Sequence, residues 1–91
     1  MSKLRIAVLE DDASLLKELV GRLRRSGLVE VVAYARDRHE FMAEVNAKNP
    51  EGLILDIDLS GEPDGGLRVA RELNLPVLFI SGHVGNYLLA I

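Results

Sequence analysis

Asp56 closes the apolar run Leu53-Ile54-Leu55. A carboxylate at the end of a buried strand is costly to desolvate and calls for a partner. Two other apolar runs also end in polar residues: Ile6-Ala7-Val8-Leu9 runs into Glu10-Asp11-Asp12, and Val77-Leu78-Phe79-Ile80 runs into Ser81. In a parallel α/β sheet all three endings reach the same edge, where such folds bind ligands. If the first and third strands are neighbours, Glu10, Asp11 and Asp56 converge. Two unit charges about 4 Å apart repel by about 4 kcal/mol at an effective dielectric of about 20, so protons or a hard cation must neutralise them. Carboxylate oxygens, waters and one backbone carbonyl suit Mg²⁺, which keeps positions open for phosphate oxygens. Aspartate is itself a competent nucleophile towards phosphoryl groups. The loop after Asp56 would supply backbone N–H groups and the Asp58 carbonyl, and the Ser81 hydroxyl could donate to an attached phosphoryl oxygen.

Strands and helices alternate to place these residues. A strand over 4–9 precedes a helix over 13–25, with Asp12 as N-cap and Gly27 as stop. Leu16, Leu19, Val20 and Leu23 recur at helical spacing and mark its inner face. A strand over 29–35 leads to a helix over 38–48, with Phe41, Met42 and Val45 inward. Asn49-Pro50 ends that helix, because the residue before proline avoids the α region. The strand over 52–57 is short and apolar, as one covered on both faces would be. A polar loop from Ser60 to Gly66 follows, then a helix over 65–73 with Leu67, Ala70 and Leu73 inward. Pro76 opens a strand over 76–80, and 83–91 looks like the start of another helix. This alternation predicts a three-layer α/β domain with a doubly wound parallel sheet and right-handed connections.

The 91 residues, 48% hydrophobic, suffice for one domain (1–91) with one core. The net charge of −3 gives no broad attraction to nucleic acid or an anionic membrane. Arg22, Arg24 and Arg25 form a local basic group near a helix end, where cations suit the macrodipole, and read as solvated. Cysteine is absent, which excludes disulfides, thiolate metal sites and thiol nucleophiles. No run reaches membrane-spanning length and the first residues lack a signal-peptide core, so a cytoplasmic location is expected.

These motifs together resemble the receiver domain of bacterial response regulators, over nearly the whole chain. Val8-Leu9-Glu10-Asp11-Asp12 is similar to the acidic motif of the first strand. Leu53 to Gly61 is similar to the phospho-acceptor strand and loop, with Asp64-Gly65 at the usual distance. Pro76 to Ser81 is similar to the strand ending in the switch Ser or Thr. The resemblance implies a flavodoxin-like strand order, 2-1-3-4 here. It implies a phosphorelay regulator, not a turnover enzyme, in which Asp56 takes a phosphoryl group from a histidine kinase or a histidine phosphotransfer protein. Asp11 would bind Mg²⁺ directly, Glu10 mainly through water, and the Asp58 carbonyl would complete the protein ligands. Asp12 falls one place beyond the acidic pair and reads as a helix cap, Ser81 would report phosphorylation by turning inward, and Leu15 would belong to a kinase-docking surface.

Receivers also have a fifth strand bearing a lysine, and a last helix, and neither is matched here. Lys3, Lys17 and Lys48 all precede the fourth strand. Ser60 replaces a common proline, and Ser81-Gly82-His83 is a variant of the usual switch sequence. The expectation is a fragment of a longer protein, or a homodimer pairing through the exposed edge of the fourth strand. Two other functions remain open: a degenerate receiver used purely for protein interaction, and a haloacid-dehalogenase-type phosphatase built on Asp56-Ile57-Asp58. The latter family carries that motif on its first strand and needs a later lysine and a further acidic motif. An EF-hand loop starting at Asp56 is excluded, since Leu67 stands where a bidentate Glu is required. Glu62 and Asp64 read as solvated loop charges.

Overall fold

Four apolar segments pair side by side in one parallel sheet. The computed structural model describes residues 3–59 and 62–80. They form β1 (Leu4–Leu9), α1 (Ala13–Ser26), β2 (Val29–Ala35), α2 (Arg38–Lys48), β3 (Gly52–Asp56), α3 (Gly65–Leu73) and β4 (Val77–Ile80). The strand order is β2-β1-β3-β4, and every pairing is parallel. Winding reverses direction between β1 and β3, so the crevice beyond their C-terminal ends is the place where side chains from both can meet.

Period-two alternation divides the sheet residues between two cores. Ala7, Leu9, Leu53 and Leu55 pack with Phe41 and Val45 of α2 and Val69 of α3. Ile6, Val8 and Ile54 face the other way, against Leu16 and Val20 of α1. α1 and α2 begin where side chains supply caps. Asp12 accepts from the backbone N–H groups of Ser14 and Leu15 at 2.9 and 3.0 Å, and Asp37 accepts from that of Glu40 at 2.8 Å. At the opposite end of the sheet, the Arg5 guanidinium donates to the carbonyls of Asn49 and Lys48 at 2.8 and 2.6 Å, clipping the end of α2 to β1.

Three expectations shift. β3 ends at Asp56 and not Ile57, because the Ile57 carbonyl turns to accept from Gly66 N–H at 3.0 Å. β4 begins at Val77, since Pro76 has no N–H for a ladder, although its carbonyl accepts from Leu53 at 2.9 Å. On α3 the buried face is Gly65, Gly66 and Val69, with Ala70 and Leu73 packed beside it. Leu67 is only half-buried. Two glycines bring the helix start so near β3 that the inward stripe begins one position earlier than its larger residues suggest.

Gly66 makes that close approach possible. A Cβ there would collide with the Asp56 carbonyl oxygen and lie 3.1 Å from Ile57 Cα, both backbone atoms that cannot swing aside. Gly66→Ala should lower unfolding free energy by about 1–3 kcal/mol, as overpacking does. Chemical denaturation measures it, and an unchanged midpoint would mean that the turn has slack.

Candidate functional site

The crevice is built from two strand ends. Glu10 extends β1 by one step, its N–H donating to the Ala35 carbonyl at 3.2 Å. Asp12 is engaged as the α1 cap, and its own N–H donates to Glu10 Oε2 at 3.0 Å. Asp56 is the last residue of β3 and pairs with Ile80. One carboxylate oxygen from each of Glu10, Asp11 and Asp56 lies within 4.8 Å of the others. Glu10 and Asp56 are 2% and 1% exposed, and Asp11 is half-buried. Neither carboxylate oxygen of Asp56 has a hydrogen-bond partner among the described residues.

Burial, then the charges of Glu10 and Asp11, pushes the Asp56 carboxyl up to about 8. Burial also raises Glu10, partly offset by the N–H of Asp12. The Asp56 carboxyl therefore holds a proton at neutral pH or exchanges it for a cation. Three carboxyls, one of them with both oxygens buried and unpartnered among the described residues, offer hard oxygen ligands that fit Mg²⁺.

No protein-family model matches the chain. Solved structures of similar architecture include response regulators and isolated receiver domains. The anti-anti-sigma factor PhyR from Bartonella quintana, crystallised with the anti-sigma factor NepR, aligns over 98% of this chain and 41% of its own, with TM-score 0.77 and 21% identity. The isolated receiver domain of RcsB from Salmonella enterica serovar Typhimurium, with the phosphomimetic BeF₃⁻, covers 88% of this chain and 62% of its own at TM-score 0.74 and 19% identity. The receiver domain of the putative response regulator NarL from Mycobacterium tuberculosis is 30% identical, with TM-score 0.64, covering 87% and 64%. The chain has the receiver fold of response regulators. In sequence it is 28% identical over 79 residues to a protein-glutamate methylesterase/protein-glutamine glutaminase of Haloarcula marismortui, 85% of this chain and 21% of that protein. The chain thus spans about a fifth of that relative's length.

Within this receiver fold, Glu10, Asp11 and Asp56 come together as their strand endings predict. The Asp58 side chain does not join them: it is exposed and accepts from Asp64 N–H at 3.2 Å. Ser81, Ser60, His83 and the helix expected from 83 lie outside the described residues. Glu62 is not a solvated loop charge, since it pairs with Arg38 of α2 at 3.0 Å. Arg22 pairs with Glu18 at 3.0 Å on the surface, whereas Arg24 donates to the Val31 carbonyl at 3.3 Å. Arg36 is a residue that sequence reasoning missed. Its Nε donates to the Asp11 carbonyl at 3.2 Å, steadying the backbone beneath the cluster. A contact across 25 positions leaves no local spacing signal. Leu16 is buried at 6% exposure while Leu15 is 39% exposed. Leu15 borders a cavity of about 290 Å³ with Leu19, Ile80 and Glu10. Asp56 ends the third strand, not the first, which departs from the phosphatase arrangement.

The raised Asp56 pKa fixes the sign of a pH dependence. The native state keeps a proton that the unfolded chain releases near 3.8, so metal-free stability falls as pH climbs towards about 8 and levels off above it. Asp56→Asn should flatten that slope. Thermal midpoints across this range in a chelator test it, and a variant with the wild-type slope would relocate the buried proton.

Proposed function

We propose that the chain relays a signal by accepting a phosphoryl group on Asp56 from the phosphohistidine of a histidine kinase or a histidine phosphotransfer protein. The observation that carries this reading is the buried Asp56 carboxyl, with no partner on either oxygen among the described residues, set against Glu10 and Asp11. An oxygen tied up by donors would be a poor nucleophile, whereas these oxygens become available for attack once the carboxyl ionises. A new O–P bond forms as the P–N bond of the donor breaks, and the imidazole leaves with that electron pair and takes up a proton. Mg²⁺, when bound by Glu10, Asp11, Asp56 and the Asp58 backbone carbonyl, supplies the charge neutralisation that lets Asp56 ionise at neutral pH. Glu10 is oriented for this by the Asp12 N–H, and Asp11 by Arg36 on its carbonyl. Ser81 is assigned the switch hydroxyl, which follows β4 directly in sequence.

In this reading the chain is a cytoplasmic regulator whose chemistry is limited to phosphotransfer to itself and dephosphorylation. Exposed Leu15 would meet the phosphodonor protein. Leu78 leaves an apolar side chain exposed on β4, the outermost strand on its side of the described sheet, and two chains could pair along it.

Incubation with a small acyl phosphate and Mg²⁺, followed by intact mass, should give a phosphoryl adduct that Asp56→Asn lacks. An adduct retained in that variant would move the acceptor elsewhere. Mg²⁺ at about 100 times its dissociation constant should add about 2.7 kcal/mol to stability, and absence of any shift in thermal midpoint at millimolar Mg²⁺ would remove the cation from the site.

One observation favours a second reading, a receiver used only for protein interaction. None of the lysines lies at the crevice: Lys3 precedes β1, Lys48 ends α2 at the opposite end, and Lys17 sits exposed on α1. Amide resonances unmoved by beryllofluoride with Mg²⁺ would favour this alternative.

A further inference from the structure

α1 has two unlike flanks. Leu15, Leu19 and Arg22 line the cavity beside Glu10 and Ile80. The other flank forms, with β2, a groove of about 450 Å³ whose cationic residues are Lys17, Arg24, Arg25 and Arg36. None of the described residues lining it is acidic, although acids outnumber bases 14 to 11 in the chain. Cations gathered on one wall repel one another and concentrate anions in the cleft they share.

Two further features point to an occupant. Gly21 lies on the groove wall in the middle of α1, where glycine costs about 1 kcal/mol relative to alanine. A Cβ there would meet only the tip of the Arg25 side chain, at 3.1 Å, so no backbone clash demands glycine and its effect is to leave the groove open. Arg24 is held in place, with its guanidinium 5.7 Å from the Tyr34 ring centroid and a hydrogen bond to the Val31 carbonyl at 3.3 Å. Tyr34 is nevertheless 48% exposed. A fixed arginine beside an exposed tyrosine has the composition of an interface hot spot.

The groove follows α1 from Ala13 to Arg25, roughly 18 Å of helix, which matches about five residues of extended chain. β2 is the outermost strand on this side of the described sheet. Its register slips at Val32, with Ile6 paired to Val31 and Ala7 to Ala33, and a bulge of this kind blunts an edge against strand addition. Recognition must therefore run through side chains. We propose that this groove docks a short acidic segment of a partner protein, with carboxylates on the four cations and an apolar side chain against Tyr34. A long polyanion such as RNA is disfavoured, because the net charge of −3 repels phosphates that extend beyond the groove. The inference does not depend on phosphorylation of Asp56. Arg36, by holding the Asp11 carbonyl at 3.2 Å, sets one end of the groove next to the acidic cluster.

The test is fluorescence anisotropy of a labelled peptide of alternating glutamate and phenylalanine against the full chain, with a single-stranded RNA of equal charge in parallel. Saturable peptide binding should weaken about three- to tenfold in the double variant Arg24→Gln/Arg25→Gln. It should be unchanged in Arg68→Gln/Arg71→Gln on exposed positions of α3. Because Arg24 also braces β2, Gly21→Glu provides the independent check: it should raise the thermal midpoint by improving helix propensity, while its carboxylate abolishes peptide binding. Absence of saturable binding, equal loss in the α3 pair, binding undiminished by Gly21→Glu, or tighter binding of the RNA would each overturn the proposal. So would self-association lost in Gly21→Glu, which would assign the groove to a second copy of the chain.

Discussion

Repulsion among carboxyls at the ends of two adjacent strands is the constraint around which this domain is organised. Parallel pairing of β1 with β3 sends both strands out of the same sheet edge, and burial there removes the water that would otherwise screen Glu10 and Asp56, beside half-buried Asp11. The unfolded chain, with 46 residues between the two strand ends, carries no such penalty. Folding therefore works against the ionised forms, and the neutral carboxyl or a cation restores the balance. A stabilising interaction alone would not require so many like groups in one crevice, whereas a site for binding and transferring charged groups would.

The surrounding structure holds those groups near one another without neutralising them. Glu10 is tethered by the N–H of Asp12, and Asp12 is committed to the start of α1. Arg36 reaches the cluster through the Asp11 carbonyl. On the other side, Gly66 lets α3 approach the Asp56 backbone closely, and the pair Arg38–Glu62 ties the following loop to α2. Asp58 is occupied with the same loop. Among the buried side chains of the described residues, only Asp56 keeps both oxygens without a partner. The frame of the site is hydrogen-bonded and its centre is unsatisfied among the described residues.

The exterior is divided by the same helix that buries one face of the sheet. α1 inserts Leu16 and Val20 into the core and leaves two flanks of different chemistry. One combines Leu15 and Leu19 with the Glu18–Arg22 pair beside Glu10, and the other is cationic beside Tyr34. Helical periodicity makes this possible, because residues three and four apart share a flank while their neighbours turn away. One short element thus separates a surface adjoining the acidic crevice from a surface facing the sheet edge.

Local chemistry was enough to place most elements. The Asp12 cap, the Gly27 stop, the Asn49-Pro50 break and the apolar runs closing on Glu10 and Asp56 act within a few residues of themselves, so their effect can be read along the chain. That three carboxyls from distant segments would converge also followed, once strand alternation implied a parallel sheet. Contacts between separated residues could not be read in this way. The Arg36 hold on Asp11, the Glu62 pair with Arg38 and the shift of the α3 inner face from Leu67 to Val69 depend on how closely elements pack. Likewise the cationic groove exists only because α1 and β2 lie side by side, bringing Lys17, Arg24 and Arg25 to Arg36. Sequence alone determined which groups would carry charge and, to within a residue or so, where the elements would start and stop, because those are short-range effects. Tertiary structure decided which charges lost their water and which found a partner, because burial and pairing exist only between elements that fold against one another.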